Sequence, residues 1–177
     1  MATFLTRVKG AALLNPAIYE DVEADRAATM QAMGVVALSS LAAGVGALGL
    51  ASARVMTLAG ISLLAFAVWA IWALLTLQIG TRILPAPRTQ ADVGQLLRTI
   101  GFATAPGILR IAGVIPGTTM LVFAITSVWM LMAMIVAVRQ ALDYTSTARA
   151  VAVCALGWLL AIGLSVGIGI VFSPPLH

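Results

Sequence analysis

Four stretches of the chain, residues 27–50, 55–79, 118–138 and 148–171, stay apolar and almost free of charge for more than 20 residues each. A helix needs roughly 20 residues to cross a ~30 Å hydrocarbon core, and in hydrocarbon every backbone polar group must find its partner inside the protein. That restricts such runs to spanning helices. Composition agrees: of 177 residues 62% are hydrophobic and only 9% charged, with a mean hydropathy of +1.08. The expected fold class is therefore an all-α membrane protein.

A fifth stretch, residues 93–115, is less plain, because it carries Arg98, Gly101, Pro106, Gly107, Arg110 and Gly113. Thr89 and Asp92 have capping-box spacing after Pro85 and Pro87, which predicts a helix starting near Gln90. Arg98 and Arg110 stand about 18 Å apart at 1.5 Å per residue, and outward snorkelling would stretch them toward the width of the core. Pro106 removes a backbone donor, so a kink is expected there, with Gly107 admitting a neighbouring helix. The alternative is a re-entrant hairpin broken at Pro106 and Gly107.

The distribution of cations favours a crossing. With five spans, Arg7, Lys9, Arg26, Arg82, Arg88, Arg98, Arg139 and Arg149 share one side and Arg54 and Arg110 the other. A four-span scheme gives seven against three. The positive-inside rule thus predicts five transmembrane helices, a cytoplasmic N-terminus and a C-terminus across the membrane. All six acids fall on the same side as the eight cations.

Residues 1–26 are expected to form short amphipathic interfacial helices ahead of the transmembrane domain at 27–177. Phe4, Leu5, Val8, Ala11 and Ala12 share a helical face flanked by Arg7 and Lys9, suited to the headgroup layer. Asn15 and Pro16 then read as an N-cap followed by proline in the first turn, with Glu20, Asp21 and Glu23 expected to complement the positive end of that second helix. Residues 10–14 are too short an apolar run for a cleaved signal.

Reactive constellations are hard to assemble. His177 is the one histidine, Cys154 the one cysteine, and the acids cluster where water reaches them, so no catalytic residues, cofactor or metal ligands are predicted. Scattered cations without interleaved aromatics argue against nucleic acid. Thr57, Ser62, Thr76, Gln78, Thr104, Thr126 and Ser127 are polar enough to line a transport path, although hydroxyls in such helices usually bond to backbone. Asp92, Asp143, Tyr144 and Arg149 are the only group that could serve a lipid-directed enzyme.

Packing surfaces give the positive signal. Gly157, Ala161, Ser165 and Gly169 recur every fourth residue in the last span beside Gly163 and Gly167, and Ser39, Ala43, Ala47 and Ala51 make a similar ridge in the first span beside Gly44 and Gly46. Small faces permit close helix contact, within the chain or with a partner subunit. Of Trp69, Trp72, Trp129 and Trp158, the last is expected in the core because it follows Gly157.

Three stretches carry a family likeness: LLNPAIYEDV at residues 13–22, TIGFATAPGIL at 99–109, and residues 128–160, where Trp129 opens a span and a charged turn from Arg139 to Arg149 follows. In these the chain resembles the Yip1 family of small integral membrane proteins in its short bacterial form. The resemblance implies a five-helix membrane domain with a cytoplasmic N-terminus. Eukaryotic members associate with Rab-type GTPases, but this chain lacks their long N-terminal region and its Asp-Leu-Tyr-Gly-Pro motif, so that role is not carried over. The sequence points to a non-enzymatic protein that binds membrane lipids and a partner subunit or a second copy, as an accessory or scaffold subunit or membrane-organising factor. The alternative is a small transporter or channel with a pathway beside the kinked third helix.

Overall fold

The computed structural model describes residues 2–49, 55–84 and 92–172, without the side chains of residues 55–58, 61, 65, 68 and 161–172. All regular structure among the described residues is helical: α1 (Phe4–Ala12), α2 (Pro16–Ala24), α3 (Ala28–Ala47), α4 (Val55–Gln78) with a π-helical turn at Ile79–Ile83, α5 (Val93–Ala103), a 3₁₀ helix (Ala105–Val114), α6 (Thr119–Ala141) and α7 (Thr147–Phe172). Three helical stretches, Ala28–Ala47, Ser62–Ile83 and Thr119–Ala141, are long and apolar enough to cross a membrane, and Thr147–Leu160 is a shorter apolar piece.

Local signals explain most boundaries. Asn15 caps α2 by accepting from the Ala17 amide, and Pro16 occupies the first turn. Asp92 and Gln95 form the reciprocal capping box that opens α5, while Thr89 and Gln90 lie outside the described residues. At the end of α1 the amides of Leu14 and Asn15 donate to the carbonyls of Ala11 and Gly10, a Schellman closure with Leu14 at φ 61°. The end of α6 closes the same way through Asp143 and Tyr144.

The kink expected at Pro106 takes another form. The α-helix ends at Ala103, and from Ala105 the chain winds as a 3₁₀ helix with Pro106 in its first turn. Proline supplies no amide there, and Thr104 Oγ1 donates to the Gly101 carbonyl at 2.7 Å, closing the α-helix just before it. This stretched segment runs alongside α3 in the same direction. A methyl group at Gly101 would stand 2.8 Å from Ala32 Cβ, one at Gly107 would fall on Ser39 Oγ, and Gly46 lies directly against the Arg110 carbonyl. Farther on, Gly49 lies against the carbonyl of Gly113. Twelve residues thus keep pace with seventeen of α3, about 26 Å at 1.5 Å per residue. A pure α-helix of twelve would cover about 18 Å, whereas a 3₁₀ rise of about 2.0 Å brings the segment to about 23 Å.

Two apolar clusters fill the bundle. One joins Trp69, Trp72 and Ile79 of α4 and its π turn to Leu96 and Ile100 of α5, Val138 of α6 and Val153 of α7. The other joins Ala11, Tyr19 and Val22 to Ala32 and Val35 of α3, Phe102 of α5, and Ala133 and Ala137 of α6. Trp158, expected in the core, is 49% exposed, whereas Trp69 and Trp72 are buried. The reason is helical geometry: Gly157 faces the Trp72 indole, and the next residue is turned about 100° away from that contact.

Gly46→Ala is expected to destabilise the fold by about 1–3 kcal/mol, because the added carbon meets backbone that cannot rotate away. Gly34→Ala, whose new carbon would have open space, is expected to be neutral or slightly stabilising. Thermal unfolding of the two variants in detergent checks the contrast.

Candidate functional site

The polar side chains gather at one end of the bundle, where α3 and α5 begin and α6 ends. Arg7 is almost completely buried there, 1% exposed, although its place beside Lys9 reads as a surface flank. Its Nε donates to Asp21 Oδ2 at 2.8 Å and its Nη1 to Gln31 Oε1 at 3.0 Å, and its Nη2 stands 2.8 Å from Asp25 as an ion pair. One guanidinium therefore ties α1, α2 and the start of α3 together. The hydrogen bond from Arg7 holds the Asp25 carboxyl below its usual range, helped by the Ala27 amide. Burying Arg7 between α1 and α2 also turns the apolar face: Phe4, Val8, Ala11 and Ala12 pack inward, and Leu5 is left exposed.

Arg98 closes the same C-terminal end of α2. Its Nε donates to the Val22 carbonyl at 3.0 Å and its Nη2 to the Glu23 carbonyl at 2.6 Å. These carbonyls lie in the last turn of the helix, where a cation also suits the negative end of the dipole. Contrary to the expectation from sequence, the acids of α2 do not complement its positive end, since none occupies the first turn. Asp21 instead serves Arg7, and Glu20 accepts from Gln140 of α6 at 2.7 Å.

Beside this cluster lies an open cleft of about 470 Å³, lined by Glu20, Glu23 and Ala24 of α2, Gln95 of α5, Arg139 and Gln140 of α6, and Asp143, Tyr144 and Thr145 of the following turn. Arg139 is committed to its own turn, donating to the Tyr144 carbonyl and to Thr147 Oγ1. Tyr144 reaches the carbonyls of Leu84 (2.6 Å) and Gly80 (3.2 Å), seating the π turn of α4. Burial pushes Glu23 up to about 7, with the charges of Asp143 and Glu20 adding to the rise and that of Arg98 opposing it. The cleft thus holds a carboxyl that exchanges its proton near neutrality.

Of the four side chains nominated for lipid chemistry, Asp143 and Tyr144 line this cleft and Arg149 stands 5.7 Å from the Tyr144 ring centre. Asp92 is engaged in capping α5. Glu20, Glu23, Gln95, Arg139 and Gln140 gave no local signal of meeting here. The pairing of Arg7 with Asp21 and Asp25 did have one: a basic helix and an acidic helix separated by an Asn-Pro turn.

Arg110 does not snorkel outward. It donates to Thr126 Oγ1 (3.2 Å) and Ser127 Oγ (2.9 Å) of α6 and stands 5.1 Å from the Phe123 ring centre. Ser39, Ala43, Gly44 and Ala47 are all buried within the chain on α3, and Gly157 is buried against Trp72. The side-chain positions of Ala161, Gly163, Ser165, Gly167 and Gly169 lie outside the described residues, as does Thr57's. Thr104 and Thr126 bond to backbone carbonyls of their own helices. Ser62 and Thr76 differ: with the indole nitrogens of Trp69 and Trp72, their hydroxyls are buried without a hydrogen-bond partner among the described residues. Ser62, Trp69 and Thr76 are spaced seven apart, so they form one stripe along α4.

No protein-family model, curated protein or solved structure matches the chain. Among the described residues, no group of three or more metal-binding side chains comes together.

Glu23 makes a testable contribution to pH dependence. Because its folded value of about 7 exceeds the ordinary 4.5, the folded chain holds a proton that the unfolded chain has lost between these values. Stability from this group is fully present below pH 4.5 and is lost as pH rises through 7. Thermal midpoints taken across that window are expected to fall in the native chain and to flatten in Glu23→Gln.

Proposed function

We propose that the chain is a non-enzymatic integral membrane protein of five spans that acts by binding, as an accessory or scaffold subunit or membrane-organising factor. In this reading the charged end and the N-terminus face the cytoplasm of a bacterial inner membrane, and the C-terminus lies across it. The eight-to-two division of cations supports that orientation. The parallel course of α3 and the segment Val93–Val114 supports the fifth crossing, because a re-entrant hairpin would turn back along α3. The likeness to the Yip1 family belongs to the same reading.

One observation carries the binding role: four of the arginines are spent on architecture. Arg7, Arg98, Arg110 and Arg139 all hold other elements in place, while α6 presents Met120, Leu121, Ile125 and Val128 outward. Buried ties of this kind fit a rigid scaffold. Photo-crosslinking from Val128 and Leu121, with light scattering of the protein in mild detergent, is expected to give one reproducible adduct with a partner or a second copy. Monomers alone, with no adduct from either position, would overturn the proposal.

The unpartnered stripe on α4 favours a second reading, a small transporter or channel. Four buried donors without acceptors are costly in an apolar medium, and a passing polar solute or water chain would satisfy them. The path would then follow α4 and not the third helix. Solute flux in reconstituted vesicles that drops in Ser62→Ala and Thr76→Val supports this reading, and flux indistinguishable from empty vesicles removes it.

A further inference from the structure

We propose that the α1–α2 hairpin is a re-entrant wedge, its tip seated among the acyl chains of the leaflet at the charged end of the bundle. The inference rests on the reading that α6 crosses the membrane. Depth follows from where the hairpin is tied. Its base is level with the start of α3, through Arg7 and Gln31, and with the end of α6, through Glu20 and Gln140. Its tip is tied to Trp129, whose Nε1 donates to the Ala12 carbonyl at 2.7 Å. Trp129 lies twelve residues before the last residue of α6, Ala141, or about 18 Å along the helix axis. Half of a hydrocarbon core is about 15 Å. The six residues from Arg7 to Leu13 carry the tip about 9 Å from the base, with the Trp129 and Gln140 side chains spanning the remainder, so the tip lies within the acyl region of that leaflet, short of the midplane.

Composition and hydrogen bonding suit that depth. Residues 10–19 carry no charge, whereas Arg7 and Lys9 precede them and Glu20, Asp21 and Glu23 follow. Backbone amides at the turn are accounted for: Leu13 donates to Lys9, Leu14 to Ala11, Asn15 to Gly10, Ile18 to the Asn15 carbonyl and Ala17 to the Asn15 side chain, while Pro16 has no amide hydrogen. The last carbonyls of α1 are also satisfied, Ala11 by the Tyr19 hydroxyl at 3.0 Å and Ala12 by Trp129. A helix end exposed to water has no need of a tyrosine hydroxyl and an indole to cap its carbonyls; one in hydrocarbon does. Leu13 at this tip is 65% exposed, and acyl chains are the medium that accepts it. A helix pair lying flat in the headgroup layer would not bring Ala12 to the middle of α6.

The test uses the full chain in phosphatidylcholine vesicles, with Cys154→Ser as background and a single fluorophore at Leu13→Cys, Ala17→Cys, Lys9→Cys or Ile125→Cys. All four positions are exposed, so labelling should leave the packing intact. Nitroxide lipids labelled near the chain terminus should quench the fluorophore at Leu13 and Ala17 more than lipids labelled near the headgroup, and aqueous iodide should not reach it. The Lys9 label should show the reverse order. If iodide or headgroup quenchers dominate at both Leu13 and Ala17 while Ile125 is quenched from within the bilayer, the wedge is overturned and the spanning reading stands. If Ile125 itself is quenched by iodide and not by lipid, the spanning reading falls and the wedge falls with it.

Discussion

Everything in the bundle is arranged around a backbone-to-backbone seam between α3 and the segment Val93–Val114. Gly46 and Gly49 let the carbonyls of Arg110 and Gly113 come against α3, and Gly101 and Gly107 do the same from the other side for Ala32 and Ser39. Dispersion energy falls steeply with small gaps, so a seam of glycines set against backbone and small side chains gains contact along its whole length. The cost is a demand for matched pitch. The switch from α to 3₁₀ winding at Ala105 meets it by lengthening the shorter strand of the pair.

Several polar side chains then share one recurrent purpose, the capping of orphan carbonyls by donors from another element. Tyr19 and Trp129 close α1, Arg98 closes α2, and Tyr144 closes the π turn after α4. Helix ends leave carbonyls without intrahelical partners, and a protein with little access to water must supply donors itself. Large side chains reaching across elements do so while adding apolar contact area.

The elements were legible in the chain because their signals are local. Run length marked α3, α4, α6 and α7, and Asn15-Pro16 marked the start of α2 with its capping partner, whereas the box expected at Thr89 and Asp92 is formed by Asp92 with Gln95 and opens α5 at Val93. Tertiary effects were not legible. Arg7 is buried only because Asp21, Asp25 and Gln31 converge on it from two other helices. Exchanging an α-helix for a 3₁₀ helix depends on a neighbour's pitch, which no local pattern around Pro106 encodes. The cleft draws on α2, α5, α6 and the turn after it, and no spacing in the sequence joins those pieces.

The parallel seam has a consequence for biogenesis. Two parallel neighbours require the chain to return between them, so α3 cannot meet its partner until α4 and the residues beyond it have been synthesised. In the proposed membrane setting the partner is a poor candidate for independent insertion, with two arginines, a proline and three glycines within residues 98–113. It gains its place from a surface already formed. In that membrane setting assembly runs in order of chain, with α3 and α4 as the template and the glycine-lined groove of α3 as the guide that admits the least apolar segment before α6 and α7 follow.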